Sequence, residues 1–296
     1  MINSSPPDAT NSNPSVDLPS NLSGGSMLPH ARGGAESAAR LPQSAIAQWV
    51  SAAGKRFRSE ISKPAIRLFL AIHVLLGLAF YFAPGIDLGV SSLFYTPAKG
   101  FVLGSRSSTR VLPYIPWVTL VIVNLLLLLL MANLVAWWRD RQSTAHLLSM
   151  RRTFFLLLTL ILGPGVLINV ILKHESGRSR PNRVETFGGN RRFTPAFVTN
   201  GACKSNCSFV SGDASMGYYL LALLFVARKR RWAIALAAYA LGTAIGVLRI
   251  AQGAHFLSDV IFAGFFTYLV AWILSMVLLP AQEKSATSPA PNFDRQ

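Results

Sequence analysis

Apolar residues in this 296-residue chain gather into long runs and do not alternate with polar ones. Six runs stand out, at about 66–83, 115–136, 154–172, 214–227, 232–248 and 260–280. A helix needs roughly 20 residues to cross a hydrocarbon core at about 1.5 Å per residue. The pattern therefore predicts an all-α fold, a polytopic bundle of six membrane spans over residues 66–280. The fourth run is short as counted and predicts a helix that begins a few residues earlier. Gly163-Pro164-Gly165 interrupts the third, where a kink is expected and tolerated because neighbouring helices re-satisfy the freed backbone groups. Trp117, Trp137, Trp138 and Trp232 fall near span ends, where interface anchors belong. His73, alone in the first span, reads as a buried histidine hydrogen-bonded within the bundle.

The flanks read differently. Residues 1–43 are rich in Ser, Pro, Asn, Gly and Ala with no apolar run before a cleavage site, which predicts a disordered cytoplasmic tail and no signal peptide. Residues 281–296 predict a second cytoplasmic tail. From Gln43 to Phe57 the residues Ile46, Trp49, Val50, Ala53 and Phe57 recur at helical spacing. Residues 44–65 thus predict an amphipathic helix and basic linker, either lying on the inner leaflet or packed on the bundle.

Composition supports the membrane reading: 51% of residues are hydrophobic and only 14% charged, too apolar for an ordinary soluble domain. The formal charge of +16 could point to nucleic acid, but the cations sit mainly at span ends, so anionic lipid is the expected partner and nucleic acid is not. Lys55, Arg56, Arg58, Lys63 and Arg67 precede the first span, Arg139, Arg141, Arg151 and Arg152 lie between the second and third, and RKRR at 228–231 joins the fourth and fifth. The positive-inside rule puts these loops and both termini in the cytoplasm. One outer loop breaks the rule. Between Lys173 and Asp213 stand Lys173, Arg178, Arg180, Arg183, Arg191, Arg192 and Lys204 against Glu175, Glu185 and Asp213. A multiply anionic substrate explains them better than scattered head-group contacts, since three cations fall between Lys173 and Arg180. The same loop carries both cysteines, Cys203 and Cys207. Outside the cytoplasm a disulfide is open to them, the alternative being two small, partly buried thiols.

Three strings on that outer side carry the chemistry: KHESGRSRP, SFVSGDAS and LRIAQGAHFLSD. A transferring phosphoryl group spreads negative charge over three oxygens, which fixed cations and backbone N–H groups stabilise. Arg180 and Arg249 offer planar forks, and Lys173 a compact charge. Gly212, near a helix start, lets amides approach the anion. His255 is the candidate nucleophile, forming a phosphohistidine that water hydrolyses. Asp259, four residues on and on the same helical face, would hydrogen-bond its other ring nitrogen. Taken alone, such a pair is as readily structural, and Arg249 could simply snorkel; the three charged strings on one side are what favour a site. Arg178, Arg183 and His174 are further candidate substrate contacts. The scheme calls for no metal and no cofactor, and two cysteines are too few for a cysteine-based metal site.

These residues resemble the type-2 phosphatidic acid phosphatase superfamily, whose signature is Lys, six residues, Arg-Pro; then Pro-Ser-Gly-His; then Ser-Arg, five residues, His, three residues, Asp. The first part matches as Lys173, Arg180 and Pro181, and the third as Arg249, His255 and Asp259 with Leu248 in place of Ser. The second is altered to Val210, Ser211, Gly212 and Asp213. The resemblance implies that Lys173, Arg180, Ser211, Gly212 and Arg249 bind phosphate, that His255 attacks and that Asp259 orients it. Asp213 stands where the family's proton-donating histidine would. Nearby cations favour its ionised form, which opposes an acid role, whereas burial favours the neutral form; a plain N-cap of the fourth span is the alternative. FGGNRRFTPAF at 187–197 and CSFVSGDAS at 207–215 look like the lipid A phosphatases, particularly those acting at the 4′ position, and DLGVSSLFYTPAKGF at 87–101 is similar to bacterial inner-membrane members. The expected function is removal of a lipid A phosphate at the periplasmic face of a bacterial inner membrane. The alternatives are a polyprenyl diphosphate or phosphatidylglycerophosphate phosphatase, a lipid-binding or transport protein with a degenerate site, and, remotely, vanadate-dependent halide oxidation. Oligomeric state stays open.

Overall fold

The computed structural model describes residues 43–104, 115–199, 201 and 203–280, so the two tails expected at 1–43 and 281–296 lie outside the described residues save for Gln43. The chain divides after Ile46, and of the first unit only the start of helix α1 is described. The helices are α1 (Gln43–Ile61), α2 (Pro64–Phe82), α3 (Gly85–Ser92), α4 (Ile115–Arg139), α5 (Thr144–Leu160), α6 (Lys173–Glu175), α7 (Gly212–Tyr218), α8 (Arg231–Ala251) and α9 (Leu257–Leu278). A hairpin pairs β1 (Tyr95–Thr96) antiparallel with β2 (Gly100–Phe101).

Among the described residues five helical stretches are long and apolar enough to cross a membrane: Pro64–Phe82, Trp117–Arg139, Thr144–Glu175, Arg231–Ala251 and Leu257–Leu278. The protein is thus a multi-pass membrane protein of the all-α class, with almost no strand. The sixth expected span is not among them. The run at 214–227 folds as the seven residues of α7 followed by seven of 3-10 helix, Tyr219–Phe225. A 3-10 helix rises about 2.0 Å per residue against about 1.5 Å for an α-helix, so this short piece reaches farther than its residue count suggests. It is the most enclosed element: Tyr218, Tyr219, Leu221 and Ala222 are buried. Gly217 meets Gly242 so closely that a Cβ on Gly217 would lie 2.6 Å from the Gly242 Cα. Small residues let the α7 and α8 backbones touch, which is how helices pack where lipid removes the hydrophobic drive.

The kink expected at Gly163-Pro164-Gly165 takes another form. Pro164 has no N–H to give, and the helix widens into a π-helical stretch, Ile161–Leu172, between α5 and α6. Asn169 Nδ2 donates to the Pro164 carbonyl at 2.7 Å and occupies one of the disturbed acceptors. His73 is half-buried, not fully enclosed: its Nδ1 lies 2.8 Å from the Phe69 carbonyl one turn back in its own helix, and its ring stacks on Phe265. α1 docks by residues of the larger unit: Arg56 hydrogen-bonds to the Met276 and Leu279 carbonyls at the end of α9, and Phe57 lies 5.6 Å from Trp272. Val50, by contrast, is exposed.

Helix directions sort the loops. Lys173, Arg249 and His255 stand at the ends of α6, α8 and α9 that meet one another, whereas Arg151, RKRR at 228–231 and Arg56 belong to the opposite ends. Over the first end the loops form a layer of their own, where Phe101, Val184, Phe187 and Phe256 pack together and the Asn182 N–H reaches the Gly253 carbonyl.

Candidate active site

His255 lies in the short turn between α8 and α9 and is fully buried. Its Nδ1 is 2.7 Å from the Ser208 carbonyl, an acceptor only, so Nδ1 carries the proton and donates it there. The Nε2 lone pair is then free, and that atom is buried with no hydrogen-bond partner among the described residues. Asp259 Oδ2 stands 3.5 Å from Nδ1, too far for the direct hydrogen bond that the four-residue spacing suggests. The carbonyl fixes the tautomer, and Asp259 acts on the ring through its charge. Burial lowers the His255 pKa below the ordinary histidine value, Asp259 opposing it, so the imidazole is neutral at pH 7.

Asp259 is itself held on all sides. Oδ2 accepts from Ser208 Oγ at 2.5 Å and from the Phe256 N–H at 2.8 Å, capping α9, while Oδ1 accepts from Arg178 Nη1 at 2.6 Å. Arg178 corrects an expectation. It is 1% exposed and has no face for substrate: Nε donates to the Thr194 carbonyl, Nη1 also to Ser258 Oγ, and Nη2 to Asp87 Oδ2 at 2.7 Å. The Phe256 ring covers its guanidinium at 4.4 Å. Asp87 on α3, also fully buried, accepts in addition from the Ser258 N–H and hydroxyl.

The other side of the imidazole is lined by cations with looser ties. Arg249, in the last turn of α8, has Nη1 on Gln252 Oε1 at 2.7 Å and Nε 2.9 Å from Asp213 Oδ2, an ion pair without a hydrogen-bonding angle. Arg180 leans on Asn206, with Nη2 donating to Oδ1 at 2.7 Å and Nε to the carbonyl at 3.2 Å. Burial, then the charges of Arg249 and Arg183, lower the Arg180 pKa, yet a guanidinium starts so high that it stays cationic. Lys173 lies within electrostatic reach of Asp213, Arg180 and Arg249. Gly212 makes room for it: a Cβ there would fall 2.9 Å from Lys173 Nζ and 2.3 Å from Asn169 Oδ1. Three cations gathered near one carboxylate leave an excess of positive charge there, a setting suited to an anion.

Ser211, fully buried, is the N-cap of α7, its hydroxyl accepting from the Ala214 N–H, and its own N–H reaches the Asp259 carbonyl. The cap role considered for Asp213 is therefore filled by Ser211; Asp213 sits in the first turn, facing Arg249. His174 and Arg183 are exposed, and His174 Nδ1 lies 2.9 Å from the Val170 carbonyl of its own helix. Cys203 and Cys207 are joined by a disulfide. The bridged loop is tied to the site by the Cys203 N–H on the Gly177 carbonyl and the Ser208 N–H on the Arg178 carbonyl. Asp87, Ser208, Asn169 and Asn206 escaped the sequence reading. Only Asp87 left a signal, a lone carboxylate in an apolar outer string.

The PAP2 superfamily model matches residues 152–282. A lipid A 4'-phosphatase of Francisella tularensis subsp. novicida is 32% identical over 225 residues, covering 71% of this chain and 98% of that protein. Lipid A 4'-phosphatases of Rhizobium leguminosarum and Rhizobium etli are each 33% identical over 222 residues, covering 69% of this chain and 92% and 83% of theirs. No solved structure matches. The similarity runs along nearly the whole of the Francisella protein, and the residues that carry the signature meet around one histidine: the chain belongs to the PAP2 superfamily.

Proposed function

We propose that this protein is a lipid A phosphatase that removes the 4′-phosphate through a phosphohistidine, at the periplasmic face of a bacterial inner membrane. The observation that carries the mechanism is the buried His255 Nε2, unpartnered, with its tautomer set by the Ser208 carbonyl. The lipid A relatives support the substrate, and the basic loops at the far ends of the helices support the orientation, both termini cytoplasmic. With this orientation the Gly212–Phe225 segment is the sixth crossing, which the even count of spans requires.

In the first step the phosphate monoester settles between Arg249, Arg180 and Lys173, with the Gly212 amide at the start of α7 also available to its oxygens. Nε2 attacks phosphorus in line, the P–O bond to the sugar breaks, and the imidazole becomes cationic beside Asp259. Phosphate competes with Asp213 for Arg249; the freed carboxylate takes the proton carried in by a monoanionic phosphate monoester and passes it to the leaving oxygen, which departs as the sugar hydroxyl. Water then attacks the phosphohistidine, releasing inorganic phosphate and neutral His255. An apolar cavity of about 450 Å³ between α4, α5, α7 and α8 is suited to acyl chains. It is lined by Met216, one turn from Gly212, and by Ile245, one turn from Arg249.

The test is mass spectrometry of lipid A from cells expressing the intact protein or His255→Ala. Loss of one phosphate with the intact protein alone, mapped to the 4′ position by fragmentation, is the expected result. Release confined to polyprenyl diphosphate or phosphatidylglycerophosphate in a lipid panel overturns the substrate, and an active His255→Ala overturns the nucleophile.

A further inference from the structure

The region behind His255 contains more charge than a tautomer clamp needs. Asp87, Arg178 and Asp259 come from α3, the loop after α6, and α9, and all three are buried. Every oxygen of both carboxylates receives a donor. Asp87 Oδ1 takes the Ser258 N–H, Asp87 Oδ2 takes Arg178 Nη2 and Ser258 Oγ, and Asp259 takes Arg178 Nη1, Ser208 Oγ and the Phe256 N–H. Each of these oxygens accepts at least one donor, a pattern that suits the acceptor-only, ionised form of both carboxylates. Two carboxylates against one guanidinium leave one negative charge behind a neutral imidazole.

Burying an uncompensated charge is costly, and stability alone would be served by one carboxylate for one arginine. The chemistry supplies the missing partner. When Nε2 bonds to phosphorus the imidazole becomes cationic, and the group of four changes from a net charge of −1 to zero. A fixed charge that is paired only after attack stabilises the transition state over the ground state. We infer that Asp87 is a positioning residue for the reaction: by neutralising Arg178 it leaves the charge of Asp259 available to the imidazolium that forms on phosphoryl transfer. With Arg178 facing Asp259 alone, the pair would be neutral and the field at His255 lost. The other groups acting on His255 are Arg180 and Arg249, with Lys173 and Asp213 beside them on the substrate side.

This rests on the phosphohistidine reading, and the test separates the two. In detergent-solubilised full-length protein, kcat and KM are measured on a phosphorylated lipid at saturation, and the His255 ring is titrated by histidine-selective 15N NMR without substrate, its signal assigned by its loss in His255→Ala. Asp87→Asn keeps the shape and removes the charge. It is expected to lower kcat about tenfold with KM within about twofold, and to move the His255 titration down by on the order of one pH unit. Asp87→Asn combined with Arg178→Gln removes opposite charges together and is expected to return the titration to its wild-type position. Ser258→Ala, which deletes a bridging hydroxyl but no charge, is expected to leave the titration in place. Unchanged kcat and titration in Asp87→Asn, or a double variant displaced as far as the single one, overturns the inference while the nucleophile assignment stands. Should Asp87→Asn not fold, a double variant with a displaced titration overturns it equally. Activity in His255→Ala would instead remove the reading beneath it.

Discussion

Arg178 and Arg249 both stand within the constellation around His255, yet they do opposite work. Arg178 is 1% exposed and spends its fork on two carboxylates, a serine hydroxyl and a carbonyl that all belong to the protein. Arg249 keeps its side chain 17% exposed and is held by one glutamine and by a carboxylate that is itself 31% exposed. Donors already given to buried protein groups are poorly placed to take a substrate, while the loosely held ones of Arg249 suit the phosphate-binding role proposed for them. On that proposal the back of the site orients and the front binds.

Several substitutions would break or sharpen that contrast. At the back, Arg178→Leu leaves Asp87 and Asp259 buried without their cation. A broken buried pair costs about 3–5 kcal/mol, so thermal unfolding in detergent should show a severely destabilised or unfolded protein. At the front, Arg249→Lys loses the two-pronged hold on phosphate. Here kcat/KM should fall about 100-fold with the unfolding temperature unchanged; a destabilised Arg249→Lys protein would erase the distinction. Gly212→Ala pushes a methyl group toward Lys173 and Asn169, and a rate loss of roughly tenfold is expected from phosphate-release assays, with overpacking that costs about 1–3 kcal/mol. Replacing both Cys203 and Cys207 by serine loosens the loop that carries Asn206 against Arg180. A rise in KM of a few-fold, with kcat nearly preserved, is the outcome that keeps this loop on the binding side.

The smallest effect is in pH. Burial lowers the His255 pKa, so the neutral nucleophile persists as pH falls through the ordinary histidine range, and the rate is lost only as pH approaches the lowered value. Between pH 7 and 5.5 kcat should change by less than about threefold; a tenfold fall would mean that the ring protonates near its usual ~6.5.

How much of this was readable beforehand depends on distance along the chain. Five of the six apolar runs became helices of membrane-spanning length, because run length is a local property. The run at 214–227 did not: tight packing of Gly217 on Gly242 and a turn to 3-10 helix belong to the bundle, not to the run. His255 and Asp259 share a helical face by spacing, and so were recognisable as a pair. Their hydrogen bonding was not, since the Ser208 carbonyl, 47 residues away, outcompetes the carboxylate for Nδ1. Arg178 was grouped with the substrate side because an arginine five residues after Lys173 and two before Arg180 is not distinguished from them by type or spacing.

From the chain order alone came a helical membrane protein and the set of charged residues that gather at one end of the bundle, since helix periodicity, apolar run length and motif spacing all act over a few turns. Only folding decided which cation faces the substrate and which is locked away, because that choice depends on Asp87 meeting Arg178 across 91 residues and Ser258 across 171. A buried charge takes its role from the partners that desolvation forces upon it, and those partners come from whichever segments the bundle brings together.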